Sequence, residues 1–348
     1  MTSLFLGQNS SPLRTRQDAI RDAAGNFFIS QLERLDQKLY MPLMATSWQR
    51  DIDLREDVSL GNDVSSFIQT NIGSLSSAMQ PGISWIKDET TSIGAVNLDQ
   101  NKVENPLHFW GQTLQYTVRE LEKSLTTGQP IDEAKFEAIR LKYNMDMDRL
   151  VYIGDPSVNT KGLLTNGNIS TGNATVSFTD GTVPVESILS DFNSLLNRAW
   201  KNSGYAAIPT KVLMSPSDFS ALSGRLNSQA GNSNVLEYIS RNCITATETG
   251  RPLEIRSVKW LENAGPAVNG QRKKRMVAYT QRPDIVRIPV VPLQRSPMLQ
   301  DLVWFRAAYY GLMGGVEFVY PETMAYMDTV DTGSLGAFTD YNGVMKGT

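Results

Sequence analysis

Hydrophobic positions along this chain change period several times, and each change predicts an element. In residues 26–41, Phe28, Leu32, Leu35 and Leu39 recur at spacings of four, three and four. That is the stripe of an amphipathic helix, and Pro42 ends it. Residues 1 to about 25 are polar and turn-rich, and are expected to be flexible. A lone helix on a loose arm cannot bury its stripe by itself, so it is expected to dock on its own body or on a neighbour.

From residue 48 to 105 the period is lost. Short β-like pieces at 66–70, 83–87 and 93–98 lie among Gly, Ser, Asn and Asp. So long an irregular stretch is unusual inside a compact domain, which predicts a protruding two-stranded loop. Trp85 and Ile86 sit near its middle. An exposed tryptophan there marks contact with another subunit, the alternative being packing on the loop's own base. Residues 107–118 read as a strand returning to the body.

The strongest helical pattern covers 133–153, where Phe136, Ile139, Tyr143, Met147 and Leu150 share a face. Asp132 can cap it, Ile131 with Phe136 fits a hydrophobic staple, and Gly154 and Pro156 stop it. At ~1.5 Å per residue it is a rod of ~31 Å. Residues 154–183 read as a loop with a hairpin near Asp180-Gly181. Val185, Ile188, Leu189, Phe192, Leu195, Leu196 and Ala199 mark a second amphipathic helix after Pro184. A strand at 211–214 leads into Ser215-Pro216-Ser217-Asp218, an N-cap, first-turn proline and third-position acid that open a third helix. Another helix is expected at 235–242, then strands at 253–258 and 276–279, separated by a loop holding Gln271 to Arg275. Residues 302–328 give two aromatic-rich strands around a break at 311–315. Val316, Phe318 and Tyr320 alternate there with Glu317 and Val319, as on a sheet with one buried face. The last twenty residues lack periodicity and read as a tail.

The 348 residues suggest two or three domains, and 41% apolar with 20% charged residues suits an ordinary soluble chain. No apolar run approaches the ~20 residues that cross a bilayer, and no secretory cleavage pattern is expected at the N-terminus. A formal charge of −3 gives no strong pull toward polyanions. The single Cys243 excludes an intramolecular disulfide framework and a cysteine zinc site, and is expected to be buried. The single His108 excludes multi-histidine metal centres and sits in a strand-like run as a structural residue. The segment from Gly154 to Gly162 has the wrong glycine and lysine spacing for a phosphate loop. Asp146 and Asp148 fall on different helix faces and are expected to be solvated. There is no G-x-S-x-G. Catalytic, cofactor and metal sites are therefore not expected. The run Arg272, Lys273, Lys274, Arg275 could touch phosphate or nucleic acid, or be solvated.

Three stretches carry a resemblance: DRLVYIGDPSVNTKGLL with Gly154 and Lys161 to Leu164, KVLMSPSDFSAL, and FVYPETMAYM with Pro321-Glu322. In their order and spacing, over residues 26–328, the chain resembles the major capsid protein of tailed phages, the Hong Kong 97 type, a fold shared with encapsulin shells. The resemblance implies an α+β fold with an N-terminal arm (1–47), an extended β-loop (48–106), a peripheral domain with a long spine helix (107–182 and 286–328), an axial domain (183–285) and a C-terminal tail (329–348). It implies self-assembly into pentamers and hexamers that form an icosahedral head around packaged double-stranded DNA. Assembly would take place in the host cytoplasm and the product would be the virion. A portal, a decoration protein in some members, and a separate scaffolding protein are implied partners, since the arm is too short to carry a scaffold. DNA contact would be weak and non-specific, with no cofactor and no membrane. Phe28, Leu32, Leu35, Leu39, Trp85, Ile86 and Lys87 would then make intersubunit contacts. The axial cluster Arg272 to Arg275 would need acidic partners or anions where subunits converge. Lys87 and Lys102 lie where some members crosslink, without a motif for it. An encapsulin-like compartment, or a soluble enzyme, is the alternative.

Overall fold

The computed structural model describes residues 46–75, 95–127, 131–227, 233–268 and 271–332. A short helix α1 (Trp48–Asp51) and strand β1 (Asp53–Arg55) lead into β2 (Val64–Leu75), β3 (Ala95–Thr117), α2 (Val118–Thr127) and the long α3 (Ile131–Tyr152). Then come β4 (Ser170–Asn173), α4 (Val185–Asn202), β5 (Lys211–Met214), α5 (Pro216–Gly224), β6 (Leu226–Asn227), β7 (Ser233–Asn234), α6 (Val235–Asn242), α7 (Ile244–Thr249), β8 (Glu254–Ser257), β9 (Ala267–Val268) and β10 (Gln271–Tyr279). The chain closes with β11 (Val286–Arg295), β12 (Leu299–Asp301), β13 (Trp304–Gly314), β14 (Glu317–Phe318) and β15 (Ala325–Thr332).

Two sheets organise these elements. The first runs β1-β11-β13-β3-β2, with β12 beside β13 and β14 beside β11; the second runs β4-β15-β10-β5-β8, with β9 beside β10. The C-terminal half of α3 bridges them. Tyr143, Met147, Val151 and Tyr152 share one core with Tyr279 and Val277 of β10 and Ile288 and Val290 of β11. Helix α4 lays its predicted stripe, Ile188, Phe192, Leu195 and Leu196, on the second sheet in a separate core that also buries Cys243. The Ser215 hydroxyl accepts from the Asp218 amide at 3.2 Å, the cap expected from sequence. After α3 the chain doubles back, with Leu163 N and Leu164 N bonding Val151 O and Tyr152 O at 2.7 and 2.9 Å. Gly154 makes the reversal at φ 81°, a left-handed conformation where a side chain would also meet backbone.

Several expectations fail for identifiable reasons. Strand β13 runs unbroken through Gly311, which pairs with Trp110. A side chain at 311 would press on the Val291 carbonyl of the bulged neighbour β11, so glycine permits close approach there and does not mark a break. The alternation at 316–320 also fails, because Glu317 is fully buried while Tyr320 is exposed. No hairpin forms at Asp180-Gly181; β4 instead pairs in parallel with β15. Gln271 to Arg275 are strand, not loop. Residues 329–332 continue β15 and so are not tail. The six-stranded sheet takes β4 and β15 from outside residues 183–285. The two-stranded excursion starts at Val64, not at 48, because Trp48 and Ile52 are in the main core and β1 pairs with β11.

Candidate functional site

Strand β3 has two different halves. Residues 107–117 pair with all of β13, from Leu107↔Gly314 to Thr117↔Trp304. Residues 95–106 pair only with β2, from Ala95↔Leu75 to Pro106↔Val64. The second half thus leaves the sheet as a two-stranded ribbon, roughly 40 Å long at ~3.3 Å per residue. Side chains alternate across it. Ser65, Phe67, Gln69, Val103 and Asn105 share the face that leans on the body, where Gln69 Nε2 donates to Val319 O at 3.0 Å. Val64, Ile68 and Leu98 share the opposite face, and Ile68 and Leu98 are 64% and 61% exposed. A two-stranded hairpin is marginal alone, and this face sets exposed Ile68 and Leu98 beside the Lys102–Glu104 ion pair.

The ribbon is fastened at its root by a buried carboxylate. Glu317 accepts from Arg287 Nε at 2.8 Å, from Arg55 Nη1 at 3.3 Å and from the Ser65 hydroxyl. Arg55 also holds Ser66 O at 3.2 Å and Asp57 at 2.7 Å. Residues of β1, β2, β11 and β14 therefore meet on one anion. Burying a charge is tolerated only when it is paired and hydrogen-bonded, and here both conditions hold.

A second buried anchor fixes the point where the N-terminal segment joins the body. Asp51 accepts from Arg50 at 2.7 and 2.8 Å, from the Tyr152 hydroxyl at 2.5 Å and pairs with Lys211 at 3.0 Å. Burial alone would raise the Asp51 pKa, but hydrogen bonds from Arg50, Tyr152 and Lys211 outweigh it and hold the carboxyl below its ordinary value. Asp148, expected to be solvated, is fully buried. It takes the Ser47 amide at 2.9 Å, Trp260 Nε1 at 2.7 Å and Lys259 at 3.1 Å. Asp146 is partly exposed and binds Lys142 at 2.6 Å and Trp110 Nε1 at 2.9 Å.

The basic run does not form an exposed cluster. Alternation along β10 buries Lys274, which pairs with Asp218 at 2.9 Å, while Arg275 pairs with Asp328 at 2.7 Å. Arg272 is exposed and Lys273 half-buried. Phe28, Leu32, Leu35, Leu39, Trp85, Ile86 and Lys87 lie outside the described residues. The sequence reading missed the Glu317 anchor, Ile68 with Leu98, and the β12–β13 turn. In that turn Leu302, at φ 53°, is 88% exposed beside exposed Leu299 and Val303. In sequence Leu302 and Val303 open the apolar run that continues into β13, and nothing in a one-dimensional pattern separates an exposed turn from the strand after it.

Among the described residues no three His, Cys, Asp or Glu gather as a metal site, and no helix is long and apolar enough to cross a membrane. His108 is half-buried in β3. The protein family described as Major capsid protein matches residues 82–330. Among solved structures, the capsid of Myoviridae phage XM1 has a TM-score of 0.70 at 14% identity, covering 86% of this chain and 98% of that one. The capsid of a native GTA particle gives 0.56 at 12% identity, covering 86% and 95%. The SrpI encapsulin of Synechococcus elongatus PCC 7942 gives 0.50 at 14% identity, covering 87% and 94%. No curated protein matches the sequence.

Proposed function

The chain belongs to the major capsid protein family and is a phage head shell protein with the α+β Hong Kong 97-type fold, and from this premise we propose how it assembles. Copies join as pentamers and hexamers and close as an icosahedral head around double-stranded DNA. The observation that carries the reading is the ribbon. A body with two complete cores extends a root-anchored hairpin whose outer face leaves Ile68 and Leu98 uncovered. A second copy lying under that face would bury it with a different patch of its own surface, the heterologous contact that closes subunits into rings.

In this reading residues 1–47 are an arm and the ribbon is the extended loop. The first sheet with α3 forms the peripheral domain, and most of 183–285 forms the axial domain. Phe28, Leu32, Leu35, Leu39, Trp85, Ile86 and Lys87 make contacts between subunits, and the exposed Leu302 turn joins them. Lys274 and Arg275 are neutralised within the subunit, which supports weak, non-specific contact with packaged DNA. The role is structural, in the virion. A separate scaffolding protein, a portal and a decoration protein complete the partner set, and assembly takes place in the host cytoplasm. An encapsulin-like compartment is less favoured, since the phage capsid superposes at 0.70 and the encapsulin at 0.50.

Sedimentation with negative-stain imaging of the purified protein tests the proposal. Closed megadalton particles or ring-shaped capsomers are expected. A monomer that persists across protein concentrations would refute it, and particles filled with an enzyme would favour the compartment.

A further inference from the structure

Beside the middle of α3, over the first sheet, lies an open groove of about 690 Å³. Leu114, Phe136, Tyr143, Leu293 and Tyr309 form its apolar walls, and Arg140 and Arg295 are also on its lining. Phe136 packs against Tyr309 with ring centroids 5.3 Å apart and the rings tilted by 41°, yet it remains 40% exposed. Its helical spacing from Ile139 and Tyr143 is that of a covered position, so the described residues lack the element that covers it. Gln49 also lines the groove, so the chain enters the described body at the groove itself.

We propose that in the free subunit this groove holds residues 26–41 of the same chain, with Phe28, Leu32, Leu35 and Leu39 against Phe136 and Tyr309. Three observations select that occupant over another. Nine residues, and so ten Cα–Cα steps, separate Leu39 from Gln49, a tether of at most about 36 Å, so the stripe cannot stray far from the groove. A sixteen-residue helix is about 24 Å long, which fits beside the ~33 Å rod of α3. Charge also matches. On a helical projection Asp36 flanks the stripe on one side and Lys38 on the other, with Glu33 and Arg34 farther round on the polar face, so the acidic flank can face Arg140 and Arg295. The inference deepens the assembly reading: a stripe held on its own subunit must leave the groove before a neighbour can cover it, and that requirement would restrain premature association.

Hydrogen exchange on the full-length protein, diluted below particle formation, tests this. Peptides from 26–41 are expected to be protected in the wild type, independently of protein concentration. Leu35→Glu and, separately, Phe136→Glu should each lower that protection by about ten-fold or more. Leu35→Glu should also speed exchange in peptides covering 136–144. Because residue 35 lies outside both described cores, that variant keeps the test valid should Phe136→Glu misfold. An unprotected stripe in the wild type, unchanged exchange in the variants, or protection that grows with concentration would overturn the proposal. Imaging of the same preparations at assembly concentration separates the two readings. Particles without protection overturn only the groove; protection without particles overturns only the shell.

Discussion

The two halves of β3 differ in what holds them. In residues 107–117 the strand is bonded to β13 along its whole length, and Leu107, Leu114 and Tyr116 are buried. In residues 98–106 the only strand partner among the described residues is β2, and no side chain is buried. One continuous strand therefore passes from a region stabilised by the chain's own packing to one whose outer face leaves Leu98 without cover among the described residues. Stability of the subunit and capacity to associate are thus separated along one element. Substitutions in the two halves should give different readouts, and the anchors at the boundary should govern both.

The largest effect is expected at the root. Glu317→Ala removes the buried anion that Arg55 and Arg287 share, leaving Arg55 the exposed Asp57 as its charged partner, and removing one partner of a buried pair costs about 3–5 kcal/mol. Denaturant unfolding of the unassembled subunit would measure it. A loss under about 1 kcal/mol would mean that solvent reaches the two guanidinium groups and that the root is held by strand pairing alone. Next comes the sheet-bound half. Leu114→Ala removes a buried side chain and should cost about 2–5 kcal/mol by the same measurement.

Much of this architecture was legible in sequence wherever a single element sets its own period. The stripe of α4, the Ser215 cap, and the strands expected at 211–214 and 253–258 depend on local spacing, and the structure has them, the second strand as 254–257; of the expected α3 face it buries Tyr143 and Met147 but leaves Phe136 exposed. What could not be read depends on partners distant in sequence. Glu317 looks like the outward residue of an alternating strand because Arg55 and Ser65 lie some 250 positions away. Asp148 looks solvated until Trp260 and Ser47 arrive from either side. Gly311 reads as a break because a close approach of β11 leaves no trace in the pattern of β13. The candidate site divides in the same way. The hairpin's existence followed from its unusual length and composition, whereas its apolar outer face depends on register. A one-residue shift would exchange that face with the one that leans on the body.

A smaller effect is expected at the second anchor, and it depends on pH. The folded-state pKa of Asp51 lies below its unfolded value, so its contribution is present above the unfolded value and is lost as pH falls through the folded one. Asp51→Asn should cost about 1–3 kcal/mol at neutral pH, as expected for lost charged hydrogen bonds. The gap between wild type and variant should then narrow on acidification, as the wild-type carboxyl takes up its proton. Asp218 has the opposite sign. Burial raises its pKa despite Lys274, so its contribution declines as pH rises through that raised value. Unfolding curves across the acid range would test both. A gap that stays constant with pH would remove Asp51 as the titrating group.

The smallest effect on the subunit, and the sharpest contrast, belongs to the ribbon. Leu98→Ala repeats the chemistry of Leu114→Ala sixteen residues earlier on the same strand. With the side chain 61% exposed there is little buried surface to lose, so stability should stay within about 0.5 kcal/mol of wild type. Assembly should respond differently. If a neighbouring copy covers this face, the same methyl groups are buried only in the particle. Truncating Leu98, or Ile68 on the same face, should then raise the concentration at which particles form while the unfolding midpoint stays unchanged. Sedimentation across a dilution series, run beside the unfolding curves, reads the two quantities independently. Unchanged assembly with unchanged stability would leave the outer face without a role. A stability loss comparable to that of Leu114→Ala would mean that the ribbon packs within its own subunit, and the contrast between the two halves of β3 would disappear.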